Sequence, residues 1–353
     1  MKLRHLVASA RFRARNTLRH AVANRRHVAG DGRFLVLRHP TRIDVAYEPA
    51  YLRWLEDNLP EVRARFELHL LPCRVRDWGR YALHLPWLQD PVEDWSDRAA
   101  RRARRVEAEC DRRGIPVVNR VDRLPNAAKL EGARRIGESG FRTARTIPIR
   151  DVAAFRAGCL GLDPPFIVRE DWGHGRLIRL VETGDQLRSL DLSRYARPIA
   201  VEFIDVRSPG DGLVRKYRYV VAGDTSLPLS MHICESWRTR GKEHLLRSDL
   251  IEEESAYAAR PVEHAVRFLR AREALGLDFV AFDYAFDRDG KPVVWEANPY
   301  PTVRLSTGRG AYRLPAAVRA LAALTRLYLR AAGLPVPGKV DDILGHPAVY
   351  VEA

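Results

Sequence analysis

Residues 279–301 read FVAFDYAFDRDGKPVVWEANPYP, two apolar strands that each carry an acid in the middle. The Asp289-Gly290 pair supplies the positive φ angles of a two-residue hairpin turn. Counting outward from that turn pairs Arg288 with Lys291, Phe286 with Val293, Tyr284 with Trp295 and Asp283 with Glu296. Side chains alternate along a strand, so Phe282, Tyr284, Phe286, Val293 and Trp295 share a core face. Asp283, Glu296 and Asn298 share the other, beside the small Ala281 and Ala285. Like charges directly opposite each other destabilise a sheet, and burying them unpaired costs more. A divalent cation reverses that sign, and two carboxylates with an amide oxygen form a hard-oxygen set suited to Mg²⁺ or Mn²⁺. A solvated face with two solubilising acids is the plainer alternative.

Working outward, the chain alternates strand and helix. RFLVLRHP (33–40), ELHLLPCRV (67–75) and IPVVNRV (115–121) read as strands, separated by helices in PAYLRWLEDNLPEVRARF and DRAARRARRVEAECDRRG. That pattern predicts a small parallel, Rossmann-like sheet. Asn126 is placed to cap a helix through Leu130, Ala133 and Ile136. PFIVRED and RLIRLV flank a glycine loop, PIAVEFIDV and LVRKYRYVVAGD are further strands, and helices are expected at 261–275 and from 313. The stretch DWGRYALHLPWLQDPVEDW (77–95) reads only as an aromatic-rich surface. The resulting division is a basic extension (1–30), an α/β domain (31–124), a central subdomain (125–200), a C-terminal subdomain holding the acids (201–332) and a tail (333–353).

The 353 residues carry a net charge of +15, but only six of the 60 basic residues are lysine. Many arginines alternate with acids at helical spacing and read as solvated faces. A basic nucleic-acid-binding protein therefore stands as a rival reading, without the interleaved aromatics that such proteins use. The first thirty residues contain no acid and are expected to form a loosely attached extension. Cys73, Cys110, Cys159 and Cys234 have no paired spacing, as suits reduced thiols in a cytoplasmic protein. No apolar run is long enough for a membrane span, and a homodimer is the default assembly.

The D-x12-E-x-N-P hairpin resembles the magnesium site of the ATP-grasp superfamily, including glutathione-synthetase-like and ribosomal-protein-modifying ligases. The resemblance runs from about Gly114 to Pro301, with the first domain similar to a pre-ATP-grasp domain in its strand–helix pattern. It implies an ATP-grasp fold, ATP as the nucleotide and Mg²⁺ held by Asp283, Glu296 and Asn298. Lys129 occupies the place of a nucleotide-contacting lysine, and Arg169 stands where the family usually has lysine. Gly173, His174 and Gly175 resemble the loop that covers the phosphates. Glu202 and Ile204 match the strand that reads adenine, and Asp205 the ribose contact. Lys216 and Arg218 match the basic position that meets the transferred phosphate, and Arg304 is the expected carboxylate anchor. His232, Trp237, Arg238 and Lys242 lie in a segment, 231–244, read as a solvated loop able to line a substrate pocket. The implied activity is a carboxylate–amine ligase acting on a small-molecule or peptide carboxylate through an acyl phosphate. A hydroxyl kinase on the same fold and a grasp that binds ATP without turnover remain alternatives.

Overall fold

A computed structural model describes residues 2–39, 46–158, 161–172, 177–239 and 243–352. The first sheet is parallel, in the order β2 (Phe66–Leu70), β1 (Arg33–Arg38), β3 (Tyr81–Trp87). Phe34 to Leu37 are fully buried, which explains why the central strand is a continuous apolar run. The helix Asp97–Arg112 starts at Ser96, whose hydroxyl accepts from Ala99 N, and buries Ala99, Ala103, Val106 and Cys110.

Three expectations change here. The third strand is β3, inside the stretch read as aromatic surface, and 115–121 contributes only an isolated bridge from Val117 to His84. Tyr81, Leu83, Leu85 and Trp87 are all buried, and Pro86 is tolerated because β3 lies at the sheet edge. The N-terminal extension is a helix, Lys2–His27, docked on β2. Asn24 donates to Leu68 O at 2.9 Å and accepts from Leu68 N at 2.9 Å, while Asn16 and His20 are buried. The tail also belongs to the body: helix Gly338–Leu344 packs on helix Leu314–Ala331.

Two antiparallel sheets follow. One has the order β4 (Thr146–Pro148), β7 (Pro198–Glu202), β5 (Phe166–Glu170), β6 (Ile178–Val181). It has its own small core around Phe155, Phe166 and Val168. The other has the order β11 (Pro292–Asn298), β10 (Phe279–Phe286), β8 (Val214–Ala222), β9 (Thr225–Cys234), β12 (Tyr350–Val351). Part of the segment read as a solvated loop, Met231 to Cys234, is thus strand. The core of this sheet is continuous with that of the parallel sheet.

The junction between them is Asn119, a buried residue at φ 57°. Its side-chain oxygen accepts from Asp278 N at 2.9 Å and Phe279 N at 3.0 Å, and its amide donates to Phe279 O at 2.8 Å and Pro299 O at 3.3 Å. Among the described residues no helix is long and apolar enough to cross a membrane, and Cys73, Cys110 and Cys234 are not in disulfides.

Candidate active site

The β10–β11 turn is one residue longer than the sequence suggested. Asp287 N donates to Lys291 O at 3.0 Å and Gly290 N to Asp287 O at 3.0 Å, so the loop is Arg288–Asp289–Gly290 with Gly290 at φ 73°. Pairing near the turn therefore runs Phe286–Pro292, Ala285–Val293 and Tyr284–Val294. Trp295 is then the extra residue of a bulge, which restores Asp283 opposite Glu296 and Ala281 opposite Asn298. Trp295 leaves the expected core face and lines a cavity instead.

The acids do not meet alone. Arg218 on β8 lies opposite Asp283 and donates from Nε to Oδ1 at 2.7 Å and from Nη2 to Oδ2 at 2.8 Å. Lys216 Nζ is 3.1 Å from Asp283 Oδ2, and Lys129 Nζ is 3.1 Å from Glu296 Oε1. Burial alone would raise the pKa of Asp283, and Arg218 and Lys216 more than reverse this, holding it well below the usual range. Glu296 is likewise lowered: burial opposes ionisation most, and Lys129, Arg169 and Lys216 together outweigh burial and the neighbouring Asp283. The carboxylate pair thus needs no metal for folding, because protein cations already compensate it. The side-chain oxygen of Asn298 accepts from Tyr300 N at 2.9 Å.

A cavity of about 290 Å³ lies between the two antiparallel sheets. One end is charged, with Lys129, Arg169, Lys216 and Glu296, while Ile167, Ile178, Val201 and Val294 make an apolar wall. Lys129 begins the helix Lys129–Glu138. Asp171 Oδ1 accepts from Leu130 N at 2.9 Å in its first turn, whereas Asn126 donates instead to Leu275 O at 2.8 Å. Burial pulls the Lys129 ammonium down to about 8 against the pull of Glu296. Lys129 Nζ and Arg169 Nε are buried without a hydrogen-bond acceptor among the described residues; Glu296 is in ion-pair range of the lysine but off hydrogen-bonding geometry. Buried donors left this way mark a missing acceptor.

Glu202, Phe203, Ile204 and Asp205 run along the cavity. Glu202 exchanges backbone and side-chain bonds with Arg145, whose N–H is 2.9 Å from Oε2. Asp205 is held by Arg207 Nη2 at 2.7 Å and Arg288 Nη2 at 2.8 Å. Trp237 and Arg238 line the cavity, Trp237 edge-on to Phe203, and Arg238 Nη2 donates to Ile178 O at 2.7 Å. His232 lies on β9 opposite Lys216. Arg304 is exposed and outside the cavity wall. Gly173, His174, Gly175 and Lys242 lie outside the described residues.

A second polar cluster, containing none of the expected site residues, lies beside β9. Buried Glu254 accepts from Tyr312 at 2.7 Å, Arg313 Nε at 2.8 Å and Met231 N at 3.2 Å. Its only signal is the spacing from Leu250 on the buried face of helix Ser248–Ala259.

No protein-family model matches the chain, and no curated protein does. Solved structures do. The D-alanine–D-alanine ligase of Bacillus anthracis, complexed with ATP, superposes with a TM-score of 0.55 at 13% identity, covering 86% of this chain and 97% of its own. An ATP-grasp RimK domain protein from Sphaerobacter thermophilus gives 0.53 at 19% identity, over 84% of this chain and all of its own. The macrocyclase MdnC of Microcystis aeruginosa, bound to precursor peptide MdnA, gives 0.52 at 10% identity, covering 84% and 99%. With two antiparallel sheets closing on a cavity beside a parallel-sheet domain, the chain has the ATP-grasp fold.

Proposed function

We propose that this chain is an ATP-dependent ligase that activates a substrate carboxylate as an acyl phosphate for attack by an amine. The supporting observation is the cation-rich end of the cavity, where Lys129 Nζ, 3.1 Å from Glu296 Oε1, and Arg169 Nε make no hydrogen bond among the described residues. Lys129, Arg169, Lys216 and Arg218 outnumber Asp283 and Glu296, so this end has positive charge to spare for a polyphosphate. The apolar wall suits a nucleobase, with Glu202 and Ile204 offering backbone groups. Asp205 would take the ribose hydroxyls in exchange for an arginine contact.

Asp283 and Glu296 present two hard carboxylates on one sheet face, with Asn298 one register step away on that face, a donor set that fits Mg²⁺ or Mn²⁺. When bound, the ion would neutralise the β- and γ-phosphates. Arg218 and Lys216, drawn from Asp283 toward the phosphoryl group, hold it for in-line transfer to the carboxylate. No side-chain nucleophile is required. The solved relatives act on amino acids or bind a precursor peptide, and either kind of carboxylate substrate belongs to the proposed class.

The test is magnesium-dependent ADP release from a pool of amino acids and peptides, with hydroxylamine present. A hydroxamate is expected. A stable phosphorylated product without hydroxamate would make the chain a kinase. Salt-sensitive DNA binding with no nucleotide binding would favour the nucleic-acid reading.

A further inference from the structure

The charged face of the five-stranded sheet does not stop at the carboxylate pair. Glu296 on β11, Asp283 on β10, Arg218 on β8 and Ser230 on β9 form one cross-strand row. Lys216 and His232 form the next row, directly opposite each other on β8 and β9. Cross-strand neighbours share a face, so His232 stands on the same side as the groups that meet the phosphoryl group. Its Nδ1 is buried without a hydrogen-bond partner among the described residues.

Burial first, and then Lys216, Arg218 and Arg313, outweigh Asp283 at this imidazole and pull it down to about 3, leaving it neutral. Arg313 is fixed by Glu254, with Nε at 2.8 Å and Nη2 at 2.7 Å. Glu254 also holds Met231 N, the residue before His232. A neutral ring beside Lys216, with an Nδ1 that makes no hydrogen bond among the described residues, disfavours an ammonium and suits an anion.

We infer that His232, flanked by Lys216 and Arg313, seats the carboxylate that is to be phosphorylated, an inference that rests on the ligase reading above. The seat lies one register step from Arg218, so a carboxylate there is beside the transferred phosphate. The ring N–H donates to one oxygen while the cations offset its charge. Arg304, exposed beyond the strand end, is not part of this seat.

The experiment follows binding of acetate, as a minimal carboxylate probe, by saturation transfer from the full chain loaded with ADP and Mg²⁺, at constant ionic strength set with chloride. Saturable transfer is expected, with Kd raised at least fivefold in His232→Leu and in Lys216→Gln. His232→Gln, which keeps a donor, should retain affinity within threefold, and Arg304→Ala within twofold. ADP affinity of His232→Leu, measured in parallel, should stay within twofold and reports that the variant is folded. An acetate Kd unchanged in both His232 variants, or a loss carried by Arg304→Ala, would overturn the inference while leaving the ligase reading intact. Failure of the unsubstituted chain to bind ADP would instead overturn the ligase reading, and this inference with it.

Discussion

Two glutamates, Glu48 fully buried and Glu296 half-buried, are satisfied to different degrees. Glu48, in the parallel-sheet domain, accepts from Arg38 Nη1 at 3.0 Å and Arg19 Nη2 at 2.9 Å, with Arg38 Nη2 at 2.8 Å from its second oxygen. Glu296, in the hairpin, meets Lys129 at 3.1 Å off hydrogen-bonding geometry, with Arg169 nearby and its Nε unused. The first carboxylate is met on both oxygens by arginines of the chain itself. The second leaves buried donors unused, as functional sites do when stability is traded for binding.

Substitutions at the two places should separate stability from binding. Arg38→Met leaves Glu48 buried with its main partner gone and should cost about 3–5 kcal/mol in urea unfolding, with ADP affinity of the folded fraction unchanged. Arg169→Met should leave unfolding unchanged or shift it upward while weakening ADP binding at least tenfold. Equal stability losses in both would break the contrast.

Next in size, Glu296→Gln should lower magnesium-dependent ADP release by about 10²–10³-fold, the scale of losing one preorganised electrostatic contact. The unfolding midpoint should barely move, because the glutamine remains next to a cation already lacking a hydrogen bond.

A third glutamate sharpens the comparison through pH. Glu107 accepts from Val121 N at 2.8 Å, and burial pushes its carboxyl up to about 7 from 4.5, against that bond and the more distant Arg120. The folded form therefore holds a proton that the unfolded chain releases between pH 4.5 and 7. Stability should fall as pH rises through that window, by about 3 kcal/mol at most, and Glu107→Gln should flatten this component of the profile. A profile unaltered by the substitution would show that the carboxyl titrates normally. Smallest of the four, Asn24→Ala should cost about 1–2 kcal/mol, read by urea unfolding. No loss would mean that the N-terminal helix is held by other contacts.

How much of this was legible in the sequence depends on the range of each interaction. The hairpin was readable because Asp-Gly and period-two alternation are local signals. The turn came out one residue short, and the Trp295 bulge cancelled the error at Asp283 and Glu296. Pairing between β8 and β10 spans 65 residues from Arg218 to Asp283, which no local pattern encodes. The need for a cation between the acids was therefore inferred without the cations that the chain itself supplies. β3 escaped notice because His84 and Pro86 interrupt the apolar run of a strand in which residues 83–87 are all buried. The docking of the N-terminal helix rests on Asn24 and Leu68, 44 residues apart. Arg304, past the hairpin end, is exposed and outside the cavity wall.

Asn119 has a mechanical consequence. One amide side chain is bonded to the first residue of β10 and to Pro299 just after β11, so both free ends of the hairpin are tied to the parallel-sheet domain. If the cavity takes nucleotide as proposed, opening would fall to the four-stranded sheet, which has its separate core and a few arginine tethers such as Arg238 to Ile178 O and Arg197 to Asp94.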